Sequence, residues 1–488
     1  MDEMNEINTA PMTATPLAPA HLSTPHLLLA PEYLLLPEGP VRGHGVLVVD
    51  DRFADLGPLD ELQARHPGLV PLALPGKLVM PGFIDAHHHL TQAFGKALAC
   101  GEPSEIYRRI WVPLEGFLDE RLLYLSTKLA ALEALRGGFT TVCDAGTRAA
   151  GDGSALAQAV SDAGLRCVLG LVCNDNFPDV SEQERAAIRE RAEAHLTRFE
   201  HHPLVHPSLA ISVPEVGTDR MLHDVARLCA EAGRVFQTHA NEHLASVERS
   251  LVSRRLRPIE HLHQVGALGT QTLIAHATLV TPFELKLLAD TGAAVSYNPV
   301  ASAWKGNAVA PAELMAEFGI RVGLGTDGTR SDGFRLMDAA EAAQRYAFGL
   351  ASGDSSCGAG ALWLKQATQG GADVLGLSAL TGEIAHGKAA DFLIVDLEVP
   401  EMLPSWDLPW DLVRLANRDQ IEAVFVAGQL RLWQGWPLDW DGRALMREVA
   451  AELRQVVEQA PIQRIHGTSA EFAAMRRQLH GERAEVQA

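Results

Sequence analysis

From about Leu78 to about Leu375 the chain alternates between two textures, and this alternation constrains its fold more than any other feature. Short apolar runs ("FTTVCDAG", "RCVLGLVC", "LAISVPE", "VFQTHANE", "TLIAHATL", "AAVSYNP", "RVGLGTDG") read as strands. Between them lie Ala/Leu/Glu-rich stretches such as "DERLLYLSTKLAALEALRGG" and "SEQERAAIRERAEAHLTRFE", whose apolar residues recur at helical spacing. Strand–helix alternation over such a length calls for a parallel sheet, because each crossover helix returns the chain in the same direction. Seven or eight strand candidates fit a (β/α)8 TIM-type barrel, which takes roughly 250 residues or more. A doubly wound α/β sheet would alternate in the same way, so periodicity alone leaves both open.

The flanks differ from this middle zone. Residues 25–77 carry short strand-like runs ("HLLLA", "YLLLPEG", "GHGVLVVDD") interrupted by a helical patch, "LGPLDELQARHPG". Residues 376–440 return to strands in "AADFLIVDLE" and "EAVFVAGQLRLWQGW". The two sets are expected to pair into one small sheet domain. Residues 441–488 read as a helical segment, and residues 1–24, acidic and rich in Pro, Ala and Thr without an apolar signal core, as a disordered leader.

The bulk numbers exclude some classes of function. A net charge of −20 argues against nucleic-acid binding, which needs a basic face for phosphates. No apolar run approaches the roughly 18–20 residues of a membrane helix. The six cysteines are scattered without C-x-x-C spacing, so they read as free buried thiols in a reducing, cytoplasmic setting.

The chemistry begins in "LVMPGFIDAHHHLTQ". Residues i and i+2 of a strand point the same way. His87 and His89 therefore share a face and His88 takes the other. On the first strand of a barrel such a pair sits at the C-terminal mouth, where these folds keep their chemistry. Two imidazoles on one face can bind one divalent metal at about 2.0–2.1 Å each. Three more strand ends carry suitable groups: His239 in "VFQTHANE" with Glu242 three residues on, His276 in "TLIAHATL", and Asp327 in "VGLGTDG". A metal held by neutral imidazoles brings water toward a pKa of about 7. Asp327 can take a proton from that water. Glu242, on a short loop, is a candidate acid/base carboxyl.

These motifs ("PGFIDAHHHL", the two lone strand-end histidines, "GTDG" and the late "GKAADFLIVD") resemble the amidohydrolase superfamily, in its cytosine-deaminase-like and chlorohydrolase-like aminohydrolase branch. The resemblance runs from about Pro25 to Trp436. It implies a distorted (β/α)8 barrel with a small β-sandwich built from both flanks. It also implies one metal, zinc or iron with zinc foremost, on His87, His89, His239 and Asp327, with His276 at the substrate or the attacking water. Glu242 fits the branch's H-x-x-E pattern, which implies that it protonates a ring nitrogen and assists the leaving amine. Gln92, in "HHHL-x-Q", matches a glutamine that the triazine and 8-oxoguanine members place near the substrate. Branch members are commonly dimers or larger, so a homo-oligomer acting on a small molecule is implied.

The chain departs from the branch in the loops that choose substrate. Where a "HAPY"-like segment is usual it has "ISVPEVGTD", "SYNPVASAWKG" lacks a Ser-Asn pair, and "GTDGTRSDGFRLMD" replaces an Asn-rich loop. From these loops Glu215 is a candidate for an amidine-like N–H edge, and Arg330 for an anionic or carbonyl group. Arg109 and Trp111, in "GEPSEIYRRIWVPLE", are candidates for the pocket mouth. Hydrolytic deamination of an amino-substituted purine, pterin, pyrimidine or triazine is the expected reaction. Triazine dechlorination or N-alkylamine release, cyclic-amide opening, and a catalytically dead barrel are the rivals. A lysine on the fourth strand, needed to bridge two metals in cyclic-amide enzymes, is missing from "LAISVPE". "GLGTDG" formally matches a dinucleotide fingerprint, but it comes late and does not open into a helix. The H-x-E…P-C-x-x-C signature of the other zinc deaminases and a G-x-S-x-G elbow are both absent.

Overall fold

Eight parallel strands run in chain order around a barrel: β1 (Phe83–His88), β2 (Phe139–Asp144), β3 (Arg166–Val172), β4 (Val205–Ala210), β5 (Phe236–Ala240), β6 (Thr272–His276), β7 (Ala294–Tyr297) and β8 (Arg321–Leu324). This is a computed structural model, and it describes residues 17–102, 105–465 and 467–486. Strand order decides between the two folds that the alternation left open. A doubly wound sheet reverses its order at a switch point, whereas here each strand neighbours the next from β1 to β8. The circle closes through a parallel bridge between His88 and Asp327, where the Asp327 N–H donates to the His87 carbonyl at 2.8 Å.

Side chains fill the barrel. Ile84, Ala86, Cys143, Val168, Leu273 and Ala294, drawn from five different strands, form one buried apolar cluster, and residues from strands around a ring can meet only inside it. Outside, Phe83 packs against Phe139 and edge-on against Phe334, joining the strands to the helical layer. The helices begin where the sequence supplies caps. Asp119 accepts the Leu122 N–H ahead of helix Glu120–Arg136, and Ser181 with Glu184 forms a capping box ahead of Glu182–Arg198.

The flanks pair as expected, and the sandwich takes the form of one continuous mixed sheet of nine strands. Leu72–Pro81 lies at its centre, parallel to His26–Leu36 and antiparallel to Phe392–Asp396. The sheet therefore extends to Pro81, past the boundary expected at residue 77, and the chain enters β1 only after Gly82. Phe53 touches Phe392, which stacks on Phe425. Phe53 and Phe392 lie on strands that are not neighbours in the sheet, so the sheet folds over its own apolar core.

Two expectations about the flanks need correction. Residues 1–16 of the expected leader lie outside the described residues, but Leu22 is buried in the small-domain core, so packing starts before residue 25. Within 376–440, helix Leu408–Arg414 packs on barrel helix Gly333–Gln344 instead of joining the sheet. The helix Gly442–Gln459 buries Leu445, Val449, Leu453 and Val456 at helical spacing, and its Glu452 pairs with Arg121 of the barrel at 3.0 Å. The cysteines are all free, as expected, but Cys100 is exposed.

One buried ion pair fastens sheet to barrel. Asp391, from the "GKAADF" motif, accepts both Nε and Nη2 of Arg166 on β3 at 2.9 and 3.1 Å. It also accepts the Thr381 hydroxyl at 2.9 Å and the Ala427 N–H at 2.7 Å. Arg166 is 2 % exposed. Breaking one partner of such a pair costs about 3–5 kcal/mol, because the other charge stays buried. Asp391→Ala is therefore expected to lower the denaturation midpoint sharply, while Arg166→Met together with Asp391→Leu loses much less; chemical denaturation of the three proteins checks this.

Candidate active site

The C-terminal ends of β1, β5, β6 and β8 converge. His87 and His89 come from β1 and the residue just beyond it, His239 from β5, His276 from β6, and Asp327 from just past β8. The ring centroids of His87 lie 5.0, 4.6 and 5.6 Å from those of His89, His239 and His276. Asp327 Oδ1 stands 3.3 Å from His89 Nε2 and 3.9 Å from His87 Nε2, and its Oδ2 3.7 Å from His276 Nε2. Asn241, His276 and Asp327 each have a left-handed backbone, with φ of 54°, 77° and 57°. For non-glycine residues that costs about 1–3 kcal/mol each and is characteristic of functional rims.

The contacts beneath explain how the strand ends are held. Asp85 accepts the Thr326 N–H at 2.9 Å, the His87 N–H at 3.2 Å and the Thr326 hydroxyl, tying β1 to the end of β8. His88 faces away from the cluster, with Nδ1 2.9 Å from Thr326 Oγ1. The loop after β5 is clamped to the loop after β6: the Thr278 hydroxyl donates to the carbonyls of Asn241 and Glu242 at 2.8 and 2.7 Å. Asn241 Nδ2 also donates to buried Glu284 at 2.8 Å.

The donor set suits a divalent metal. Two overlapping groups, His87/His89/His239 and His87/His276/Asp327, bring their ligand atoms within 4.8 Å of one another. His87 Nε2 and His276 Nε2 are buried without a hydrogen-bond partner. His239 Nδ1 lies 2.7 Å from the Ser212 carbonyl. A carbonyl only accepts, so Nδ1 carries the proton and the Nε2 lone pair faces the cluster, the arrangement that orients a ligating histidine. Burial pushes all of these imidazoles down, His87 and His89 well below the ordinary range and His276 to about 4. They are neutral at pH 7, as metal ligands must be.

Glu242 and Asp327 are both held ionised. Burial disfavours their charge, but His276 (protonated in the acid range where Glu242 titrates) and Lys305 beside Glu242, and Lys305 with the similarly protonated histidines beside Asp327, outweigh it and lower both. Lys305 Nζ donates to Asp327 Oδ2 at 2.6 Å and to Glu242 Oε1 at 2.8 Å.

A cavity of about 760 Å³, counted to its open mouth, lies above this cluster. His89, His239, Glu242 and Asp327 line its floor, while His87 and His276 sit beneath. Gln92 and Glu215, both expected at the substrate, line the wall, and so does Trp111. Gln92 Nε2 donates to buried Glu115 at 3.1 Å. Both carboxylate oxygens of Glu215 are buried without a hydrogen-bond partner, its nearest cation being Arg249 at 3.8 Å, and burial raises its pKa. Arg330 does not line the cavity and sits near Asp332, and Arg109 pairs with Glu102 at 2.8 Å, also off the wall. Sequence reasoning missed Lys305, Glu115 and Ser212. A lone charged residue in "ASAWKG" just beyond a strand is a usable signal for the first. Nothing local marks a backbone carbonyl such as that of Ser212.

Comparison with known proteins finds similar sequences and folds. A 5-methylthioadenosine/S-adenosylhomocysteine deaminase of Syntrophobacter fumaroxidans is 28% identical over 79% of this chain and 87% of its own length. A 5'-deoxyadenosine deaminase of Methanothermobacter thermautotrophicus is 27% identical over 84% and 93%. Among solved structures, a zinc-bound adenosine deaminase from Xanthomonas campestris superposes with a TM-score of 0.80 at 25% identity, covering 88% of this chain and 98% of that one. The zinc-complexed atrazine chlorohydrolase of Arthrobacter aurescens shares the fold, with a TM-score of 0.75 at 19% identity over 88% and 100%. Residues 45–68 match an imidazolonepropionase-like composite domain of bacteria. The amidohydrolase family model matches residues 78–431, the whole barrel and most of the returning flank, and the chain belongs to that family.

Proposed function

We propose that the chain is a mononuclear metal-dependent aminohydrolase that releases ammonia from an amino-substituted N-heterocycle. The observation that carries this reading is the convergence of four histidines with Asp327 and Glu242 under one cavity. His87, His89, His239 and Asp327 would hold the ion, zinc by analogy with the bound neighbour. When bound, such an ion supplies Lewis acidity that brings the pKa of water from 15.7 to about 7. The remaining work falls to the chain. Asp327, ionised and buried at 3 % exposure, accepts the proton that water loses on adding to the amino-bearing carbon. Glu242, ionised at rest, takes up that proton from Asp327 and hands it to the ring nitrogen, acting as base and then as acid. The water's second proton, released as the added hydroxyl becomes a carbonyl, leaves on the departing amine as ammonia. His276, neutral and 3.7 Å from Glu242 Oε2, is placed to hydrogen-bond the oxygen being added.

The cavity wall narrows the class of ring. The Gln92 amide nitrogen is committed to Glu115, which leaves its carbonyl to accept from a substrate N–H. Unpartnered Glu215 also accepts. A ring that presents several N–H groups suits these two acceptors. The curated relatives' names put adenine nucleosides first on the panel, followed by pterins, other amino-purines, pyrimidines and triazines.

Two experiments test the reading. In an ammonia-release screen of zinc-loaded protein, one scaffold is expected to yield ammonia. Asp327→Asn should be silent on it and Glu242→Gln slowed by about 10²–10⁴-fold in kcat. Chloride or an alkylamine in place of ammonia would move the assignment to the other leaving groups. For the metal, wild-type protein is expected to bind one equivalent of zinc by elemental analysis, and His87→Ala or His239→Ala to lose it. His88→Ala should keep the zinc and lose only about 1–3 kcal/mol of stability.

A further inference from the structure

The segment after β7, where the sequence departs from the branch, brings Lys305 into the catalytic cluster. Lys305 ends the short helix Pro299–Lys305, and its side chain is 15 % exposed. One ammonium bridges two carboxylates from different strands, Asp327 beyond β8 and Glu242 beyond β5. Each carboxylate thereby has one oxygen occupied and one turned elsewhere. Asp327 gives Oδ2 to the lysine and turns Oδ1, which also accepts the Gly328 N–H at 2.6 Å, toward His89 and His87. Glu242 gives Oε1 to Lys305, with Asn307 Nδ2 at 3.3 Å, and turns Oε2 toward His276.

We propose that Lys305 is a positioning residue of this chain's reaction, selecting the working oxygen of Asp327 and of Glu242, and that its charge weakens the site's hold on a divalent cation. The proposal rests on the metal-dependent reading given above. The two effects have separate physical origins. Bridging through a single nitrogen orients both carboxylates at once, which is a matter of geometry. A positive charge 2.6 Å from Asp327 offsets negative charge that a cation would otherwise enjoy, which is a matter of Coulomb attraction in a buried site. A lysine that merely filled space or held the fold would couple them the other way: its loss would loosen the metal and slow the reaction together.

Lys305→Met separates these possibilities. It keeps the length and apolar stem of the side chain and removes the charge. Zinc affinity, measured by competition with a chromogenic chelator, is expected to rise about tenfold in the variant. On whichever ring the wild type deaminates, kcat is expected to fall about 10–100-fold with KM little changed, the scale of a small misplacement of catalytic groups. Lys305→Arg keeps the charge but spreads it over a fork, so it should bind zinc as the wild type does and still show the lowered kcat. The arginine variant retains the ion pairing and serves as the folding-safe arm should the methionine variant not be obtained folded. Wild-type kcat in either variant overturns the proposal. So does zinc bound more weakly by Lys305→Met, with activity falling in proportion. A wild-type protein silent on every ring would count against deamination, whereas the affinity comparison needs no substrate and still decides whether the charge of Lys305 weakens the hold on the cation.

Discussion

The closure of β8 onto β1 is the interaction on which the rest of the site depends. Two short strands meet there through few backbone bonds, and the Asp85 carboxylate supplements them by gathering the Thr326 N–H and hydroxyl and the His87 N–H. The same joint carries the Asp327 N–H onto the His87 carbonyl. Two of the groups that could grip a cation are thus neighbours because the barrel is closed. An open sheet of the same strands would set β1 and β8 at opposite edges. Fold and site are here one physical fact, which is why the first and last strands carry so much of the chemistry.

Much of this was legible in the sequence, for identifiable reasons. Strand periodicity sets which residues share a face, so His87 and His89 could be paired and His88 set apart without coordinates. Barrel topology collects strand ends at one mouth, so His239, His276 and Asp327 could be added from the ends of their own apolar runs. What escaped depends on contacts between distant segments. Lys305 reaches the cluster from the last residue of a seven-residue helix, too short for an apolar period to reveal its direction from sequence. Glu115 matters through Gln92, Thr91 and Arg148, which approach it from two different loops. Arg330 is a substrate candidate because it lies in the departing loop after the eighth strand, yet it stands off the cavity wall, since beyond a strand end the chain turns and position in a loop does not fix direction.

The small domain shows a similar limit. The sequence marks its strands but not their pairing, and Leu78–Pro81, as apolar as any barrel strand, belongs to the sheet because Phe392–Asp396 lies beside it. The "GKAADF" motif also acquires a physical meaning. Asp391 meets Arg166 in a buried cradle of four accepted hydrogen bonds, so the motif joins the returning flank to the third barrel strand at a distance from the chemistry.

That central position of Leu72–Pro81 has a consequence for how the protein is made. Its partner Phe392–Asp396 is synthesised about 300 residues later. Until then the strand that leads directly into the histidine-bearing β1 has one edge unpaired, and unpaired edges are sites of misassociation. Contacts of such separation are also slow to form, because a long loop must close before they contribute. On the ribosome, the strand that carries the first candidate ligands would therefore be anchored only after the returning flank has emerged.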